Sequence, residues 1–180
     1  KYGNTKTAPM IVMGNPSEML AGLQHRMQDM PAVEAWTGRK ESPLQPEEAE
    51  GMAKAMRNLP IDQQASFLGA LGKAVGDPER ISKLTRQIGD KDGHMGLAMA
   101  YANAQTTQGR LTAELVLRGA QAIKDRAVQI DGAKETGWRA TIAKEVRGTF
   151  SDQQAEDKYI DAAFLITAAN EDKDIDRAIR

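Results

Sequence analysis

The chain predicts an all-α fold: a compact bundle of about seven or eight helices preceded by an extended N-terminal arm. Three observations point there. Apolar residues recur at three- and four-residue steps through most of the 180 residues, the spacing of one helix face. Residues that start helices (Asn, Asp, Pro) precede these runs, and Gly or Pro follows them. Aromatics make up only 4% of the chain, so Leu, Ile, Val, Ala and nine Met must fill the interior, and Ala and Met favour helices over strands.

Residues 1–14 show no period and predict an arm, with Met10, Ile11, Val12 and Met13 available to dock on a neighbour or add to a strand. Asn15, Pro16 and Glu18 start the first helix as cap, first-turn proline and returning acid. Its stripe is Met19, Leu23, Met27 and Met30. Pro31 is expected to end or kink it, and Gly38 to stop a short continuation. The polar stretch 38–46 holds Pro43 and Pro46 and marks the first organisational break. It divides an arm and first helix (1–43) from a helical bundle (44–180).

Pro46, Glu47 and Glu48 open the second helix with acids at its positive end, and Ala49, Met52, Met56 and Leu59 form its stripe. Asp62 is read as the cap of a third, with Phe67, Leu68, Leu71 and Val75 inward and Gly76 as its stop. Asp77, Pro78 and Glu79 restart the chain, and Ile81, Leu84 and Ile88 follow. Residues 89–93 read as a turn, and 95–105, rich in Ala, as a buried helix. Residues 110–130 form the longest periodic stretch. Leu111, Leu115, Gly119, Ala122, Ile123, Ala127 and Ile130 make its stripe, and 21 helical residues would span roughly 30 Å. After a turn at Asp131 and Gly132 come Trp138, Ile142 and Val146, closed by Gly148. Ser151 and Gln154 have capping-box spacing, and 159–169 is apolar on most sides, as expected of a core helix packed on the long one.

Charge is near balance overall but uneven. Residues 73–147 carry 13 basic and 9 acidic side chains, and residues 148–180 carry 4 and 8. A nucleic-acid binder normally shows a much stronger basic bias, so a solvated surface with internal complementarity is the expectation. With no Cys, disulfides and thiolate metal sites are excluded. No apolar run approaches the roughly 18 residues a membrane span needs, and the N-terminus shows no signal-peptide pattern. The start at Lys1 and the end at Arg180, inside a helix-like run, lead to the expectation of a fragment of a longer polypeptide.

No residue is nominated as catalytic, cofactor-binding or metal-ligating. The two histidines, His25 and His94, lack converging ligands and read as ordinary polar positions. Asn170, Asp172 and Asp174 echo the start of a calcium loop, but Ile175 stands where such a loop needs Gly. They read as an acidic linker, and Asp90, Asp92 and Gly93 as a turn. Glu41-Ser42 matches the Glu-Ser of soluble lytic transglycosylases, whose acid sits in a cleft that raises its pKa. Here it lies in a proline-rich connector, the wrong context for a buried acid. Trp36 and Trp138 are expected in the core or as staples.

One order of blocks carries a resemblance. Residues 59–64 (LPIDQQ) and 67–71 (FLGAL) are followed by 81–88, the Ala-rich 97–104, 114–119 (ELVLRG), 164–169 and 175–179. Over residues 44–180 this resembles helical regions in large structural proteins of tailed bacteriophages. Those are internal virion or ejection proteins, often joined to a lytic transglycosylase domain, or tape-measure-like. The resemblance implies a non-catalytic virion component without cofactors, whose partners are other virion proteins or its own copies. It implies a place in the virion; without it, a cytoplasmic one is expected. Two alternatives stand beside it: an accessory helical part of a peptidoglycan-cleaving lytic transglycosylase, and a soluble helical adaptor.

Overall fold

The structure is a computed structural model, which describes Ile11 and residues 15–170. The described residues form eight α-helices and no strand: α1 (Pro16–Thr37), α2 (Pro46–Arg57), α3 (Ile61–Val75), α4 (Pro78–Lys91), α5 (Gly93–Ala102), α6 (Thr107–Lys124), α7 (Gly132–Val146) and α8 (Gln153–Ala169). None of them is long and apolar enough to cross a membrane.

Local chemistry sets most of the boundaries. Side chains of Asn15, Asp77, Asp92, Thr106, Asp131 and Asp152 accept hydrogen bonds from first-turn N–H groups of their helices, which would otherwise lack partners. Gly38 ends α1 at φ 66°, and its N–H donates to the Glu34 carbonyl at 2.8 Å.

Several expectations are corrected. α1 continues through Pro31. Pro31 is exposed, and the turns on either side hold buried Met30 and Glu34, which is paired with Arg80 of α4. α3 starts one residue before Asp62, with Pro60 as its cap. Residues 89–91 are helical, and the break shrinks to Asp92, which ends α4 and caps α5. There α4 and α5 touch backbone to backbone: a Cβ on Gly96 would lie 2.5 Å from the Gly89 Cα. The cap of α8 is Asp152, not Ser151.

The largest correction concerns residues 110–130. α6 begins earlier, at Thr107, and ends at Lys124. The chain turns at Arg126 (φ 56°), while the Ala127 N–H reaches back to the Ala122 carbonyl at 2.9 Å, a Schellman-type end. The buried face is also rotated from the one expected: Gly109, Ala113, Val116, Leu117 and Gly119 are covered, whereas Leu111 is 44% exposed. Neighbours decide this. α6 lies among α3, α5 and α8, and its small residues let those backbones approach. At Gly119 an added Cβ would sit 1.9 Å from the Leu165 carbonyl oxygen of α8. That α8 packs on α6 agrees with expectation.

One continuous core joins the helices. Met19 and Leu23 of α1, Met52 and Met56 of α2, Leu68 and Leu71 of α3, Leu84 and Ile88 of α4, Met99 of α5 and Ile142 of α7 are each fully buried within it. Methionine suits the irregular gaps between helices that cross at different angles. Ile11 joins this core as well, packed against Gly22 of α1.

Candidate functional site

Two clusters of charged side chains stand out, one closed and one open. In the closed cluster Arg26 of α1 grips Glu48 of α2 with both guanidinium arms: Nη2 donates to Oε1 at 2.6 Å and Nη1 to Oε2. Arg26 Nη1 also donates to the Pro43 carbonyl at 3.2 Å. Glu48 accepts two further bonds, from the N–H of Ile11 (2.9 Å) and of Gln45 (2.8 Å). Glu48 is 1% exposed and Arg26 6%. Burial alone would raise the Glu48 pKa, but the Arg26 guanidinium and the two backbone donors outweigh it and hold the carboxyl below its ordinary 4.5. Both carboxylate oxygens are occupied, so the cluster ties Ile11, α1, the connector and α2 together.

The open cluster borders a groove of about 1080 Å³ between α4 and α5 on one side and α7 and α8 on the other, with the end of α6 below. Its floor is apolar: Ile81, Leu97, Ile123, Ile130, Phe164 and Leu165. Arg139 of α7 spans the rim. Its Nε donates to Glu135 Oε1 at 2.9 Å, its Nη1 to Asp161 Oδ1 of α8, and its guanidinium carbon lies 4.6 Å from the Phe164 ring centre. Burial works against the charge of Arg139, yet Asp161 and Glu135 raise its pKa further and keep it a cation. Behind it Trp138 packs edge-on against Phe164, with ring centres 6.1 Å apart. On the opposite wall Asn103 donates from Nδ2 to Thr85 Oγ1 at 3.2 Å. Its buried Oδ1 lies over Gly72 and accepts no hydrogen bond among the described residues.

The residues singled out in the sequence are not brought together. His25 lies on the exposed face of α1, 3.3 Å from Asp29, and His94 is exposed at the mouth of the groove. Among the described residues, no three His, Cys, Asp or Glu side chains are grouped to hold a metal ion. Glu41 and Ser42 are exposed in the connector, and the Glu41 N–H donates to Glu34 at 3.1 Å. Asn170 ends α8, while Asp172 and Asp174 lie outside the described residues. Trp138 packs on the core as expected. Trp36 corrects its expectation: it is 79% exposed, in the last turn of α1 and beyond Met30, the last buried residue of that helix.

Sequence reasoning missed Arg26 and Glu48. A signal was there: Arg26 falls between Leu23 and Met30 at helical spacing, inside an apolar stripe. A cation in that position needs a buried partner, and Glu48 was read only as a first-turn acid. Neither models of known protein families nor curated proteins nor solved structures match this chain.

Proposed function

We propose that this chain is a non-catalytic structural component of a phage virion, internal or tail-associated, that works through helix-mediated contacts with other virion proteins or with its own copies. The groove is the observation that carries the contact reading. An apolar floor bounded by five helices and left open along one side is a surface that a partner completes. Its charged border then sets register and excludes wrong partners. The virion assignment rests on the order of sequence blocks between residues 59 and 179. Short links between local helix pairs suit a protein that parts and repacks in a confined space.

Peptide mass spectrometry of purified particles, induced from the source strain, tests the assignment together with the intact mass of the parent chain. Peptides of this segment within a large virion protein are expected. A short parent found only in the cytoplasm overturns the virion reading in favour of an adaptor. Muropeptide release by the purified protein, lost in Glu41→Gln, overturns the non-catalytic one.

A further inference from the structure

We infer that the groove takes an acidic amphipathic helix from a protein partner; this rests on the contact reading above and gives the partner its chemistry. Shape comes first. A helix with its side chains is about 10–12 Å across and rises about 5.4 Å per turn, so about two turns displace a volume comparable to the groove's 1080 Å³. The apolar floor matches one stripe of such a helix.

Charge then selects its sign. Three cations on the border, Arg86 of α4, Lys124 at the end of α6 and Lys158 of α8, are exposed and have no acidic side chain at ion-pair distance among the described residues. Asp90 is the one border acid in the same state. The other two border acids, Glu135 and Asp161, are both engaged by Arg139. Four basic and three acidic side chains border the groove, a net charge of +1, and the three unpaired cations come from three helices around an apolar floor. A helix with acids flanking its apolar stripe fits that arrangement, and one with lysines there meets uncompensated repulsion.

The groove carries its own reporter, because Trp138 packs on Phe164, which lines it. Replacing exposed Trp36 (Trp36→Phe) leaves Trp138 as the sole tryptophan of the two. Two synthetic peptides of about 18 residues, five helical turns, are titrated in. Both carry a Leu/Ile stripe; one has Glu on its polar face and the other Lys. Saturable change in Trp138 emission is expected with the Glu peptide, at an affinity at least about tenfold above the Lys peptide and falling with salt. The triple variant Arg86→Glu, Lys124→Glu, Lys158→Glu, all on exposed positions, is expected to reverse the preference while its circular dichroism stays unchanged. Tighter binding of the Lys peptide overturns the acidic partner and leaves the contact reading standing. Saturation by neither peptide overturns both. Saturation by dodecanoate alone overturns both in favour of a lipid site.

Discussion

Arg26 and Arg139 do the same chemistry in opposite surroundings. Each is an arginine on one helix that bonds a carboxylate on another. The Arg26–Glu48 pair is sealed, with all four carboxylate contacts supplied by protein, whereas Arg139 and Asp161 are 35% and 49% exposed at the edge of the groove. Buried charge that loses its partner cannot turn to water, and exposed charge can. The first pair therefore fixes how elements far apart in the chain meet, and the second leaves its surface able to adapt to a visitor.

The sharpest way to break this contrast is Glu48→Gln. It keeps the shape and leaves Arg26 buried without a counter-charge. A loss of about 3–5 kcal/mol in urea unfolding is expected. A loss below about 1 kcal/mol, the range of an exposed pair, would erase the distinction.

Acid probes the same pair. The Glu48 pKa is lowered in the fold, so the unfolded chain binds its proton more readily, and stability rises with pH through that window. The contribution is complete above the ordinary carboxylate value of 4.5 and disappears as pH falls through the lower folded value. Asp77 and Glu79 are lowered too, Asp77 chiefly by the Arg80 N–H and Glu79 by Lys40, so the comparison must be differential. The stability gap between wild type and Glu48→Gln should narrow below pH 4.5 and stay constant above it.

A smaller effect is expected at the α6–α8 crossing. Gly119→Ala places a methyl against the Leu165 backbone, and the helices must separate, at about 1–3 kcal/mol. Because Leu165 also lines the groove, the variant should shift Trp138 emission as well. The smallest effect belongs to Arg139→Met, about 0.2–1 kcal/mol, because Glu135 and Asp161 stay hydrated once released.

What was legible in the sequence follows the same division between local and distant causes. Caps such as Asn15, Asp77 and Asp131 act within a few residues, so the helices they start were visible. The inward set of α3 was visible too, because Phe67, Leu68, Leu71 and Val75 lie on a single face. α6 was misphased because it is covered from several directions, and Gly109, Ala113, Val116 and Leu117 meet the neighbours while Leu111 does not. Helical passage through Pro31 was hidden because Glu34, in the turn after it, pairs with Arg80, distant in the chain. The groove was hidden for the same reason. Its walls come from segments that only the packing brings together, and Phe164 and Leu165 read equally well as plain core.

The Glu48 carboxylate also sets an order of events at the ribosome. It joins Ile11 to a residue 37 positions later and Arg26 to one 22 positions later. At about 5–20 residues per second, Arg26 emerges roughly 1–4 seconds before Glu48 does. Through that interval the nascent N-terminal segment holds a hydrated arginine inside an otherwise apolar stripe, which discourages premature burial of Met19 and Leu23 against the wrong surface. Once the first turn of α2 is synthesised, its acid is available to pair with that charge.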